Sequence, residues 1–161
     1  VTPSMERLEE LLDDYEAKVG LETHGSFSSN YLFMEKFEKK FSHKKYKWIF
    51  DIGNFSTENM RFKAQKKKKN NIWYLHAASH GYKKDGFPKD EGLNYPRAAQ
   101  ILKDAGFDST WAIEYKGPDG LRGVHQSVEY IKYSFAENND SEYQIKTDIP
   151  SNDELIKKYR V

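Results

Sequence analysis

Apolar residues in this chain change repeatedly between a helical spacing and a strand-like spacing. In the first segment they recur on one helical face, at Met5, Leu8, Leu11, Leu12 and Tyr15. Thr2 and Pro3 suit the start of that helix, because Thr is a good N-cap and Pro fits the first helical position. A short strand is predicted next, over Val19–Glu22, and Gly25 closes it.

The same change of spacing occurs three more times. Ser29 is placed to cap a helix in which Phe33, Phe37 and Phe41 lie four residues apart. Three strand-like apolar runs follow it: "KWIFDIG", "NIWYLHAAS" and "TWAIEYKG". Helices are predicted between and after these runs, within "STENMRFKAQKKKKNN", along the face of Ala98, Ile101, Leu102 and Ala105, and along the face of Leu121, Val124, Val128, Ile131 and Phe135.

The resulting order is one helix followed by four strand–helix units, with no hairpin signal between them. This alternation predicts an α/β fold with right-handed crossovers and a parallel sheet. Residues 1–136 contain the four units. Residues 137–161 turn polar and end in "SNDELIKKYRV", which predicts a polar C-terminal loop and a short peripheral helix.

Composition and charge narrow the class of protein. The 161 residues suffice for one domain with a sizeable core, and 15% of them are aromatic. The 26 Lys and Arg nearly balance 25 Asp and Glu, which argues against a general nucleic-acid or membrane-surface partner. The Lys66–Lys69 run is typical of a solvated helix end. There is no cysteine, no apolar stretch near the ~18 residues of a membrane span and no signal peptide, so we expect a soluble cytoplasmic protein.

Each predicted strand ends in a side chain that can bind a metal: Glu22, Asp51, His76 and Glu114. A carboxylate at the end of the apolar run "WIFDIGNF" is unexpected, because charged residues are almost never fully buried unless they are paired. In a parallel α/β protein, the carboxyl ends of all strands open on one face, where catalytic residues gather. We therefore expect these four side chains to converge.

Three carboxylates and one imidazole would repel one another and take up protons if they met without a cation. A divalent metal removes that conflict. Three oxygen ligands with one imidazole suit Mn²⁺, Mg²⁺, Co²⁺ or Fe²⁺ at least as well as Zn²⁺, and the absence of cysteine argues against structural zinc. The sequence therefore predicts a divalent metal site, with Mn²⁺ as the first expectation.

Five stretches together resemble the xylose isomerase-like TIM barrels: "GLETHG", "WIFDIGNF", "YLHAAS", "GLNYPRAAQILKDAGFDSTWAIEYKG" and "GVHQSVEYI". That superfamily contains sugar and sugar-phosphate isomerases and epimerases, and also the endonuclease IV-type enzymes. The resemblance covers about residues 3–135 and implies a parallel (β/α) barrel of TIM type, with only about four βα units, strands five to eight, in this chain. In the epimerase branch a Glu, an Asp, a His and a Glu at those strand ends hold the metal, matching Glu22, Asp51, His76 and Glu114.

The resemblance implies an isomerase of carbohydrate metabolism that acts on a small sugar or polyol. A divalent metal would polarise the carbonyl of an open-chain sugar. Glu22 and Glu114 would then be the catalytic acid/base pair, moving a proton through a metal-stabilised enediolate. The outcome would be an epimer or the aldose/ketose isomer.

Substrate contacts are expected around the same rim. His24 lies two residues after the first ligand and Asn54 three after the second, where either side chain could reach a sugar hydroxyl. His80 and Lys83 lie in the loop where related epimerases place a cationic contact, with Lys83 offset by one position. The lack of a concentrated Arg/Lys phosphate clamp favours unphosphorylated substrates.

Two differences argue against the endonuclease branch and its DNA substrates. Asn54 stands where the three-metal cluster of those enzymes needs a His, and "GFPKDEGLNYP" lacks their Asp-x-His pair. The near-zero net charge points the same way.

Length leaves a further alternative open. A full barrel takes ~250 residues and eight strands, and a half would expose two sheet edges and much apolar surface. We favour a piece of a longer polypeptide over a truncated gene product or a half-barrel that pairs with another chain. The expected partner is therefore the N-terminal barrel half or a homo-oligomer partner. The alternative to an enzyme is a non-catalytic remnant with a binding or structural role.

Overall fold

A parallel four-stranded sheet lies at the centre of the fold. The computed structural model describes residues 2–15, 17–41, 46–90, 92–136 and 143–159. The strands within these ranges are β1 (Val19–Glu22), β2 (Tyr46–Asp51), β3 (Ile72–Ser79) and β4 (Trp111–Tyr115). The helices are α1 (Thr2–Asp14), α2 (Gly25–Ser28), α3 (Tyr31–Lys40), α4 (Glu58–Lys68), α5 (Tyr95–Lys103), α6 (Gly120–Ala136) and α7 (Asn152–Tyr159), and a 3₁₀ turn spans Lys69–Asn71.

The strands pair in chain order, β1-β2-β3-β4, and every neighbouring pair is parallel. Such an order, with helices between the strands, is that of one arc of a (β/α) barrel and confirms the predicted α/β class. Because Asp51 is the register partner of His76 and Glu114 that of Ala78, the strand ends lie at one edge of the sheet.

One face of the sheet packs against the helices and forms the core. Trp48, Phe50 and Leu75 on this face are essentially inaccessible to solvent. The Phe37 ring of α3 meets the Trp48 ring edge-on, with centroids 5.8 Å apart. Each fully buried side chain of this size contributes about 1.5–3 kcal/mol, so this face supplies much of the stability of the fold.

The opposite face of the sheet is only half-buried. Ile49 and Tyr74 are register partners on the face that carries Asp51 and His76, and neither is fully covered. The register shifts between β2 and β3 next to Trp48, so β3 has an extra residue there. The sheet therefore has one covered face and one open face, and the strand-end ligands lie on the open one.

The start of α3 differs from the prediction. Ser29 is buried and does not cap the helix. Asn30 does so instead, because its Oδ1 accepts from the N–H groups of Leu32, at 2.9 Å, and Phe33, at 3.4 Å. The short helix α2 occupies the residues before it and moves the N-terminus of α3 one position along the chain.

The lysine run is not wholly solvated. Lys68 is only 7% exposed, and its Nζ lies 2.5 Å from Oε2 of Glu38 in α3. Oε1 of Glu38 accepts from the Trp48 indole at 2.6 Å and from the Asn71 amide at 3.0 Å. Burial opposes ionisation of Glu38, but the hydrogen bonds from Lys68, Trp48 and Asn71 outweigh it and lower its pKa. The prediction of a solvated helix end is therefore wrong at Lys68.

The C-terminal helix α7 lies against α6 and buries Leu155. The polar segment before it is also anchored, because the Gln126 side chain donates to the Lys146 carbonyl at 3.2 Å. No helix in the described part of the chain combines the length and the apolar character that crossing a membrane requires.

Candidate metal centre

The four strand-end residues converge at the C-terminal edge of the sheet. Glu22, Asp51, His76 and Glu114, hereafter the quartet, each offer one ligand atom, and all four atoms lie within 4.8 Å of one another. Each comes from a different strand, so the parallel sheet itself brings them together. The convergence expected from the strand ends is thus present.

The imidazole lies between the two glutamates. Nδ1 of His76 is 3.2 Å from Oε1 of Glu22 and 3.8 Å from Oε2 of Glu114. Glu22 is on β1 and Glu114 on β4, so these glutamates flank the two central strands. His76 and the two glutamates are partly open to solvent, and an ion or a small molecule can reach them from the open face.

Asp51 is held more rigidly than the other three. Its Oδ1 accepts from the Gly53 N–H at 2.7 Å, and its Oδ2 accepts from the Asn54 amide at 2.6 Å. The hydroxyl of Thr23 accepts from the Asp51 N–H at 2.9 Å and donates to the Asp51 carbonyl at 3.3 Å. Because both the carboxylate and the backbone are fixed, the fully buried Asp51 presents its oxygens in one orientation.

Burial makes Asp51 difficult to ionise. It raises the pKa of Asp51 to about 6, even though the Gly53 N–H and Lys116 act in the opposite direction, and the nearby Glu114 raises it further. Burial also opposes ionisation of Glu114, but the hydrogen bond and charge of Lys116, with smaller effects of Asp51 and His76, together outweigh it and lower the pKa of Glu114. At neutral pH both carboxylates are therefore charged and close together, an arrangement that a cation stabilises.

The quartet suits a divalent metal ion on chemical grounds. Oε2 of Glu114 is buried and has no hydrogen-bond partner among the described residues. Such an oxygen is costly in the interior unless something binds it. Three carboxylates and an imidazole are the ligands that Mn²⁺, Mg²⁺, Fe²⁺ and Zn²⁺ accept. These residues therefore fit a metal, although they do not select one.

The structure separates the four predicted substrate contacts. Asn54 and His80 line a cavity of about 240 Å³ beside the quartet, hereafter the rim cavity. His24 is an exposed residue before α2, and no hydrogen bond or ion pair joins its side chain to the quartet in the described ranges. Lys83 is exposed and lines a different cavity with Lys84. The side-chain amide of Asn54 donates a hydrogen bond to Asp51, so its observed role is to orient that carboxylate.

Two residues of the site were not foreseen from the sequence. Thr23 follows Glu22 directly, and its bond to Asp51 depends on the pairing of β1 with β2. Lys116 places its Nζ 3.2 Å from Oε1 of Glu114 and also lines the rim cavity. The sequence could have indicated Lys116, because in "EYKG" it lies two residues after Glu114, and residues two apart on a strand share a face.

Comparisons with known proteins agree with this fold. The family model described as xylose isomerase-like TIM barrel matches residues 1–134. A crystal structure of a D-tagatose 3-epimerase-like protein aligns with a TM-score of 0.65 and 22% sequence identity, over 86% of this chain and 54% of that one. The chain thus spans about half the length of that structure. No curated protein matches the sequence.

Proposed function

Because the chain belongs to the xylose isomerase-like TIM barrel family, we propose that it is part of a divalent-metal-dependent sugar isomerase or epimerase. One observation supports this most: the quartet assembles four ligand atoms within 4.8 Å at the end of the sheet where barrel enzymes carry their active sites. The substrate class is a small open-chain sugar or polyol derivative. The name of the aligned structure, a D-tagatose 3-epimerase-like protein, is consistent with that class.

In this proposal the quartet holds the metal. When bound, a divalent ion would polarise the substrate carbonyl and stabilise negative charge on the neighbouring oxygens. Mn²⁺ is our first choice because three of the four ligands are carboxylates. Asp51, fixed by Gly53, Asn54 and Thr23, would set the orientation of the site.

The two glutamates would exchange the proton with substrate. They come from strands on either side of Asp51 and His76, so a substrate lying over the two central ligands can meet a carboxylate from each flank. Lys116 favours the ionised form of Glu114, which is the form that removes a proton. We assign Glu114 as the base and Glu22 as its partner that returns the proton.

The open face of the sheet suggests that activity needs more than this chain. Ile49 and Tyr74 are only half-buried, and both edge strands are partly exposed. We propose that a second barrel half, from the same polypeptide or from another copy of the chain, covers this face. The metal site would then be complete here while the substrate pocket is not.

Metal binding tests the proposal directly. Dialysed protein is titrated with Mn²⁺ by calorimetry, alongside Glu114→Gln and the control Glu129→Gln, which alters a largely buried glutamate on α6. We expect stoichiometric binding in the parent and in the control, and an affinity at least ~10–100-fold lower in Glu114→Gln. Exchange of the α-proton of ketoses in D₂O, followed by NMR, then tests the chemistry.

The absence of binding in the parent would contradict the proposal. It would mean that the quartet does not bind a metal in this chain, and a non-catalytic role would replace the enzyme. Metal binding without proton exchange would instead point to the uncovered substrate pocket.

A further inference from the structure

Arg61 on α4 carries a buried charge that forms no ion pair within the described ranges. It is 5% exposed, and the only hydrogen bond of its side chain there runs from Nη1 to the carbonyl of Gly92. Its Nε is buried without a partner. Burial lowers the pKa of the guanidinium, which reflects the cost of keeping its charge there. Buried charges are normally paired, whereas Arg61 has, among the described residues, only the more distant charges of Glu58 and Asp51 to favour its ionised form.

The nearest acidic groups are already engaged. Glu58 lies one turn before Arg61 on α4 but pairs with Arg97, whose Nη1 is 3.3 Å from Glu58 Oε1. Asp90 binds His80 twice, through the backbone N–H at 2.8 Å and through Nδ1 at 2.7 Å. Asp51 accepts from its own loop and belongs to the quartet. None of these carboxylates forms an ion pair with Arg61 in the described part of the chain.

Arg61 lines the rim cavity, and so does Lys116, which contacts Glu114 of the quartet. The rim cavity therefore extends from Lys116, which neighbours the quartet, to the buried guanidinium of Arg61. Thr57, the N-cap of α4, is also in its wall, so the positive end of an 11-residue helix faces the same space. Glu58 and Asp90 line the same cavity, but Glu58 pairs with Arg97 and Asp90 with His80. The guanidinium of Arg61, the ammonium of Lys116 and the helix N-terminus therefore favour an anion at this position.

We propose that the rim cavity binds an anionic end of the substrate, a carboxylate or a phosphate, on Arg61 and Lys116, while the rest of the substrate lies over the quartet. This inference rests on the proposed function and narrows its substrate class to sugar acids or sugar phosphates. At about 240 Å³ the cavity is smaller than the ~300–1,000 Å³ of drug-sized sites. A substrate of a few carbon atoms fits it.

No sequence pattern indicates this anion site, because its two cations are 55 positions apart, at 61 and 116, on α4 and beyond β4. Neither forms part of a basic run. The earlier preference for unphosphorylated substrates rested on the lack of such a run, and the folded arrangement removes that reason.

Anion binding can be measured without turnover. Metal-free, dialysed protein is heated with inorganic phosphate, with glycolate as a small hydroxy-carboxylate, or with neutral ethylene glycol. We expect phosphate, glycolate or both to raise the Tm, and ethylene glycol to leave it unchanged. A rise with phosphate alone supports a sugar phosphate, and a rise with glycolate alone supports a sugar acid.

Arg61→Met is the decisive variant, and Lys66→Met is its control. An apolar side chain at this position removes the cost of burying a charge that has no ion-pair partner in the described ranges. We therefore expect Arg61→Met to have a Tm at least equal to that of the parent without anion, and to bind the anion at least tenfold more weakly by calorimetry. Lys66→Met, which removes an exposed cation of α4 that does not line the rim cavity, should respond to anions as the parent does.

An NMR readout on the unmodified protein covers the case in which Arg61→Met does not fold. The Nε–Hε resonance of Arg61 should shift on addition of the anion that raises the Tm. An unchanged Tm and resonance with both anions, or equal responses of parent and Arg61→Met, would overturn the inference. Mn²⁺ titration then separates the two proposals, because a protein that binds Mn²⁺ but no anion retains the proposed function and loses only this inference.

Discussion

Asp51 should make the metal-free protein less stable as the pH rises. Its folded-state pKa of about 6 lies above the ordinary value of 3.8, because the side chain is buried. Between these two values the folded protein binds more protons than the unfolded chain. Stability contributed by protonated Asp51 is therefore complete below about pH 3.8 and is lost as the pH rises through about 6. Asp51→Asn cannot lose a proton and escapes this effect.

The size of the effect follows from the pKa difference. A rise of roughly two units at about 1.4 kcal/mol per unit corresponds to about 3 kcal/mol of lost stability above pH 6. The substitution also alters hydrogen bonds, because Oδ2 of Asp51 accepts from the Asn54 amide. That cost does not depend on pH, so it cancels when the difference between variant and parent is followed across pH.

Urea unfolding of metal-free parent and Asp51→Asn, from about pH 4 to about pH 7.5, measures this difference. We expect the free energy of unfolding of the variant to gain about 3 kcal/mol relative to the parent over that range. Glu129→Gln is a control of opposite sign. Burial opposes ionisation of Glu129, but Lys132 and Tyr143 outweigh it and lower its pKa, so the parent should gain on this variant as the pH rises.

Two results would refute this reasoning. A difference between parent and Asp51→Asn that stays constant with pH would mean that Asp51 is not protonated more readily in the folded state. If the free energy of unfolding of the parent instead rose relative to that of the variant with increasing pH, folding would stabilise the ionised carboxylate of Asp51 rather than destabilise it. Saturating Mn²⁺ at pH 7.5 should raise the stability of the parent relative to that of Asp51→Asn, because a ligand stabilises only a protein that binds it.

Three further substitutions test other parts of the structure. Thr23→Val removes both hydroxyl hydrogen bonds to the Asp51 backbone. We therefore expect about 2 kcal/mol lower stability and ~10–100-fold weaker Mn²⁺ binding by calorimetry. Unchanged metal affinity would exclude a positioning role for Thr23. Gly53→Ala places a Cβ 2.9 Å from a methyl carbon of β3 and 3.2 Å from Asp51 Oδ1, so Mn²⁺ affinity should fall in the same titration, and parental affinity would show that the loop can shift. Glu38→Ala leaves the Lys68 ammonium buried without its ion-pair partner, which should lower the free energy of unfolding in urea by about 3–5 kcal/mol. Adding Lys68→Met should restore most of that stability. No recovery would mean that loss of the ion pair is not the cause.

The sequence by itself determined the order of the elements and the identity of the four candidate ligands. Apolar spacing is a local property, and it placed β1 over Val19–Glu22 as observed. Parallel pairing follows from the alternation of strands and helices. Once the strands are parallel, side chains at their ends must share one edge, so Asp51 and His76 could be assigned to one site before any coordinates.

Tertiary structure decided which polar groups are buried and what they meet. Lys68 and Arg61 lie on the buried side of α4 together with Ala64, at helical spacing, although their side chains are those of a solvated helix. Lys68 pairs with Glu38 thirty positions away, whereas Arg61 forms no ion pair in the described ranges and donates from Nη1 to the Gly92 carbonyl. Local periodicity cannot separate these outcomes, because burial and pairing depend on neighbours that are distant in the chain. The pKa of Asp51 and the charge of the rim cavity are, for the same reason, properties of the folded arrangement alone.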